Sequence, residues 1–226
     1  MTDKAVNLTA SDAFALGGSF IPQTASVTTS QEHANMIKAD GDWQKWSSVF
    51  NLISEVTVDY KFNAVAGLGA ALPSIGEVSN GYMVSGISVS TVHNDWPTIT
   101  ITGHSHGENS HVAGMTTYSF TPAMIVYLTG ALGAYDFFNK AAGAVCATDS
   151  TIDLSMDHID AECDGGNHWV GTNVKGRLEA TVNYIGEVAT PATVAGWTVM
   201  NYVTPNDSNE DFDKSSITAE LIRTRD

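Results

Sequence analysis

Positive charge is what this chain has least of. Lys and Arg total 10 against 25 Asp and Glu, a formal charge of -15. A surface that grips a nucleic-acid backbone by releasing counterions needs the opposite balance, so tight holding of nucleic acid is not expected. Solubility accounts for such a charge on composition alone, and a sharper use depends on where the carboxylates face. Cysteine is nearly absent: Cys146 and Cys163 are too few for a disulfide framework, and free thiols in a reducing compartment are expected, although spacing leaves a bridge open. Met1 to Asn7 has no basic start, apolar run or cleavage site, so no secretory signal is expected. The longest apolar stretch, Pro122 to Phe138, is interrupted by Thr129, Gly130, Gly133 and Asp136. It falls short of the roughly 20 residues a membrane helix needs, so no membrane is expected as a partner. With 226 residues, 43% of them hydrophobic, the chain has material for a sizeable core, as one large or two small domains.

What is there is an internal echo. Ser26-Val27 and Glu32-His33 recur as Thr151-Ile152 and Asp157-His158, and Glu55-Val56-Thr57-Val58-Asp59-Tyr60 recurs as Glu179-Ala180-Thr181-Val182-Asn183-Tyr184. Gly81-Tyr82-Met83-Val84 is answered by Gly196-Trp197-Thr198-Val199. Asn94-Asp95-Trp96 with Ile101-Thr102 is answered by Glu210-Asp211-Phe212 with Ile217-Thr218. The shift is about 125 residues in the first blocks and about 115 in the last, as if one loop had shortened. The order of the blocks is kept, and the strand-like parts keep their apolar positions, which points to two copies of one β unit.

The regular signal has period two. Val56, Val58, Tyr60 and Phe62 fall on one face and Glu55, Thr57, Asp59 and Lys61 on the other, the pattern of a strand with one wet side. Thr98 to Thr102, Thr151 to Met156 and Leu178 to Tyr184 alternate likewise. Turn signals stand between them: Asp40-Gly41-Asp42, Leu72-Pro73-Ser74-Ile75-Gly76, Ser79-Asn80-Gly81, Asp164-Gly165-Gly166-Asn167 and Pro205 to Asn209. Helical candidates are Gln31 to Lys38, which alternatively continues the strand begun near Val27, and Pro122 to Lys140, with Thr121 as N-cap and Pro122 at the first helical position. The expected fold is all-β, an antiparallel sandwich or barrel built from two repeated units with at most one or two short helices. The units are drawn as residues 1–112 and 113–226, their junction falling between Gly103 and Ala147, with His104 to His111 as an exposed loop.

Two words look enzymatic. Gly103-His104-Ser105-His106 and Gly166-Asn167-His168 resemble the GHxH and GNH signatures of calcineurin-like metallophosphoesterases, in which His, Asp and Asn hold two metal ions. The words stand here in reversed order, the DxH and GDxxD words are missing, and there is no βαβ rhythm. Gly166 and Trp169 also answer Gly41 and Trp43, so a shared turn explains them. The His104, His106 and His111 cluster therefore reads as a solvated loop, and the matched His33 and His158 as a shared packing role. No Gly-rich phosphate loop, nucleophile elbow or paired-cysteine metal motif occurs. Trp43, Trp46, Trp96, Trp169 and Trp197 read as packing residues, in the core or at subunit contacts, with a carbohydrate or peptide groove as the alternative. Asn206 to Asp211 has calcium-ligand residue types without the spacing of a known loop and reads as a solvated turn. No catalytic, cofactor-binding or metal-ligating residue is assigned, no cofactor is expected, and the protein is read as a non-enzyme.

Asn80-Gly81-Tyr82-Met83-Val84 through Asn94-Asp95-Trp96-Pro97-Thr98-Ile99-Thr100-Ile101-Thr102, together with the echo from Gly196 to Thr218, resembles the structural proteins of tailed bacteriophages, and among them tail-tube proteins. The resemblance lies in alternating Thr, Ser, Val and Ile strands, polar loops and acidic balance, without a diagnostic motif. It implies a virion subunit, assembled in the host cytoplasm, that pairs with copies of itself through sheet edges and meets other tail proteins. DNA would pass through an acidic lumen without tight binding. Head decoration, tail-terminator and baseplate proteins share these features, and a metal-dependent phosphoesterase or carbohydrate-binding module stands further off.

Overall fold

The computed structural model describes residues 13–37, 39, 43–63, 72–92, 95–106, 146–163, 167–185, 198–203 and 214–223. They form nine strands: β1 Phe20–Ile37, β2 Trp43–Phe62, β3 Val78–Ser79, β4 Tyr82–Val92, β5 Thr98–His106, β6 Cys146–Cys163, β7 Asn167–Ile185, β8 Thr198–Val203 and β9 Lys214–Arg223. All belong to one antiparallel sheet of order β1-β2-β5-β4-β6-β7-β9-β8, with β3 paired to β4 off this path. There is no helix among the described residues, and so none long and apolar enough to cross a membrane.

Alternation decides the two faces. Val56, Val58, Tyr60 and Phe62 of β2, Ile99 and Ile101 of β5, Ile87 and Val89 of β4, Ile152 and Leu154 of β6, and Leu178 and Ala180 of β7 are all buried. Each large aliphatic side chain so covered contributes about 1.5–3 kcal/mol. Phe20 closes one end of the apolar face, edge-on to Tyr60 at 5.9 Å and tilted against Phe62 at 4.9 Å. Ala13 and Phe14, just before β1, are buried as well, with the Phe14 ring lying over Gly103.

The turn between β3 and β4 is Asn80-Gly81, with φ of 48° and 86°. Positive φ at both central residues is what a tight hairpin matching the twist of its strands requires, and Asn-Gly is the pair that adopts it most readily. The Asp40-Gly41-Asp42 and Asp164-Gly165-Gly166 signals lie between β1 and β2 and between β6 and β7, and Pro205 to Asn209 lies between β8 and β9.

Two sequence expectations change. Gln31 to Ile37 is not helical but continues β1, its backbone paired to β2 from Glu32 facing Phe50 to Ile37 facing Trp43. Cross-strand hydrogen bonding to a long partner overrides the weak helical preference of Gln, Glu, Ala and Met there. His104 to His106 is strand and not loop, because the ladder with β2 runs on through Glu55 facing His104 to Ile53 facing His106. Residues 107–111 and the helical candidate at Pro122 to Lys140 lie outside the described residues.

The sheet has a regularity beyond its alternation. Its first four strands in order, β1-β2-β5-β4, and its last four, β6-β7-β9-β8, follow the same path. The registers coincide too: Val27 faces Val56 as Ile152 faces Ala180, and Val58 faces Ile101 as Val182 faces Ile217. Most irregularities recur at the echoed positions, the shift between Ala34 and Met36 of β1 having no counterpart in β6. β1 shifts register between Pro22 and Thr24 and between Ser30 and Glu32, and β6 between Ala147 and Asp149 and between Ser155 and Asp157. β4 shifts between Val84 and Gly86, and β8 between Val199 and Asn201. The β1–β2 and β6–β7 hairpins both run on past their neighbours, and the alternating strand directions send both arms out of the same end of the sheet. Four strand spacings separate β1 from β6, about 19 Å along the sheet.

Cys146 and Cys163 terminate the 18-residue strand β6. At about 3.3 Å per residue the two ends are roughly 55 Å apart, so no bridge joins them within one chain.

Candidate functional site

The chemistry of the sheet is on its polar face. In-register pairing aligns one row straight across the strands: Thr24, Asp59, Thr100, Ser88, Asp153, Glu179 and the position of Glu220. Asp59 anchors one half. Its carboxylate accepts hydrogen bonds from the Thr24 hydroxyl and, at 2.6 Å, from the Thr100 hydroxyl. At the echoed place in the other half, the acid stands on the other strand: Asn183 donates to Asp149 at 2.5 Å, and Thr148 donates to the same carboxylate at 2.9 Å. The neighbouring row carries hydroxyls, with Thr181 and Thr218 sharing a hydrogen bond of 3.1 Å.

Carboxylates outnumber cations on this face. Glu55, Asp59, Asp149, Asp153 and Glu179 project from it, and among the described side chains only Lys61 and Arg177 oppose them. Both cations are engaged: Lys61 with Asp95 at 2.6 Å and Arg177 with Glu179 at 2.7 Å. Lys61 also donates to the Trp96 carbonyl at 3.2 Å, so it is turned to the loop before β5. The Lys61 hydrogen bond first, then the Trp96 backbone N–H, hold the Asp95 carboxyl below its ordinary value. Asp153 and Glu179 occupy facing positions on adjacent strands, where like charges oppose sheet pairing by a few tenths to about 1 kcal/mol.

The histidine words do not converge. His104 stands in β5 opposite Glu55, and His168 stands in β7 opposite Glu162, with β4 and β6 lying between the two strands. Among the described residues no group of three or more His, Cys, Asp or Glu gathers where a metal ion could be held. Gly103, the glycine of the GHxH word, has a packing explanation: an added Cβ would lie 2.9 Å from the Phe14 ring and 3.0 Å from the Met83 carbonyl oxygen. His33 and His158 occupy matching register positions, opposite Val49 and Asn173. His111, Trp197 and the acidic loop Asn206 to Asp211 lie outside the described residues.

Trp96 is not part of this chain's core. It is 49% exposed beside Asp95, because the turn between β4 and β5 carries it off the apolar face. The polar row itself, which alternation alone makes visible only strand by strand, needed the register to emerge. No protein-family profile and no curated protein matches this chain.

Proposed function

We propose that the protein is a non-enzymatic building block of a tailed-bacteriophage virion, a tail-tube subunit whose polar sheet face lines a passage for DNA. The observation that carries this reading is the row of carboxylates on that face, with both described cations there already engaged. Such a face repels a phosphate backbone, and the two cations described on it are already spent on Asp95 and Glu179, which suits a conduit. Facing carboxylates cost sheet stability, and a face that only had to be soluble would gain by interspersing the signs.

The same reading accounts for the coincidence of strand order, register and bulges between the two halves as a duplicated unit, a second copy of one four-stranded path. A chain carrying two copies presents two like segments to a ring and reduces the number of chains needed to close it. The two hairpin arms leave one end of the sheet together, the direction in which a neighbouring ring would stack.

Negative-stain electron microscopy of the purified full chain tests the proposal. Tubes or stacked rings with a central channel are the expected result. Persistent monomers in solution, or discrete shells without a channel, overturn it, the latter in favour of a head-decoration role.

A further inference from the structure

Between the two halves of the sheet there is a join, and its partners fix a rule. β4 pairs with β6 antiparallel, with Gly86 facing Ser155, Ile87 facing Leu154, Ser88 facing Asp153 and Val89 facing Ile152. By strand order and register, β8 stands where β4 stands, and β1 where β6 stands. β1 and β8 are the two ends of the described sheet. The described sheet therefore ends, on either side, in edges of the two kinds that it joins to each other in its own middle.

We infer that β8 of one chain pairs antiparallel with β1 of a second copy, in the register of the internal join: Asn201 facing Ser30, Tyr202 facing Thr29 and Val203 facing Thr28. This deepens the self-assembly reading above and rests on it. An edge of this length is an aggregation hazard unless something covers it, and a specific antiparallel partner is the covering that a repeated join provides.

Burial supplies a second, independent observation. Ile152 and Ser150 of β6, flanked on both sides, are 0% and 1% exposed, whereas Val27 is 43% exposed and Ala25 is exposed at the matching places in β1. Val27 faces Val56 on one side, as Ile152 faces Ala180, but where Ile152 meets Val89 on its other side, Val27 is at the end of the sheet. Apolar residues left bare on an edge strand, at positions that a neighbour covers elsewhere in the same sheet, mark the place of that neighbour.

Disulfide trapping in the assembled full chain, with Cys146→Ser and Cys163→Ser as background, tests the register. Tyr202→Cys with Thr29→Cys, and independently Val203→Cys with Thr28→Cys, are expected to give interchain disulfide-linked product. Tyr202→Cys with Ala25→Cys, displaced by four residues along the strand, is expected to give about tenfold less, since its Cα atoms are too far apart to bridge. Assembly that traps neither in-register pair, or traps the displaced pair equally, overturns the edge pairing and leaves self-assembly standing. An intrachain disulfide in a monomer overturns it as well, because β8 would then close on its own β1. Light scattering that shows only monomer, with no trapping, removes both this pairing and the self-assembly reading.

Discussion

Thr91 and Ser150 share a buried hydroxyl–hydroxyl hydrogen bond of 2.6 Å across the join of β4 and β6. Each hydroxyl answers the other in an otherwise aliphatic row that includes Ile87 with Leu154 and Val89 with Ile152. The two halves of the sheet meet at these residues, so the bond is a direct probe of how firmly the halves are joined.

Removing one hydroxyl leaves the other buried without its partner, and that costs more than the bond contributes. Thr91→Val is expected to lower unfolding free energy by about 1–3 kcal/mol, whereas Thr91→Val combined with Ser150→Ala recovers part of the loss. Urea denaturation of the two single variants and the double variant gives the coupling. Additive losses would mean that the bond contributes nothing at the join.

Glycine tolerance distinguishes packing from chemistry in the GHxH word. A methyl group at Gly103 meets the Phe14 ring at 2.9 Å and the Met83 backbone at 3.0 Å, while at Gly86 the nearest atom, the Leu154 carbonyl oxygen, is 3.9 Å away. Gly103→Ala is expected to cost about 1–3 kcal/mol through overpacking, and Gly86→Ala to stay within about 0.5 kcal/mol. Phe14→Leu should restore part of the Gly103→Ala loss, since the flexible side chain yields where the backbone does not. Thermal melts of the three variants read this directly.

These residues also show what the sequence made legible. Val56, Val58, Tyr60 and Phe62 declare a half-buried strand because strict alternation has one structural solution, and Asn80-Gly81 declares its turn because few other pairs accept both positive φ angles. Gln31 to Ile37 was ambiguous because neither alternation nor β-branched residues mark it, and only its pairing with distant β2 settles it. Gly103 was visible as a motif letter and misleading as one, since the ring that requires it comes from Phe14, far away in sequence. The polar row and the β4–β6 join are likewise long-range: each strand shows its own polar positions, and register alone aligns them.

The ion pair of Asp95 with Lys61 is exposed and sets a pH dependence of known sign. The carboxyl is held below its ordinary value by the Lys61 hydrogen bond and then the Trp96 N–H. A depressed folded-state value means the contribution is complete above the unfolded-state value and disappears as pH falls through the folded-state one. Asp95→Asn should therefore lower the urea midpoint relative to the native chain near about pH 6, with the difference vanishing in strong acid. Raising salt to about 1 M at neutral pH should shrink the same difference. A gap that is constant across pH would assign the effect to the turn and not to the charge.

The carboxylate face makes the last prediction. Asp153 is exposed, and Glu179 is half-buried and already shares Arg177, so reversing both changes the field of the face without touching the apolar core. The native assembly is expected not to retard duplex DNA even at low salt, because counterion release requires free cations and the two described on this face are engaged. Asp153→Lys with Glu179→Lys supplies free cations and should create sequence-independent retention that fades as salt rises toward about 0.5 M. The matched neutral pair, Asp153→Asn with Glu179→Gln, should not bind, which separates added attraction from lost repulsion. Electrophoretic mobility shifts across a salt series distinguish these outcomes, and retention of duplex DNA by the native protein at low salt would remove the physical basis of the conduit reading.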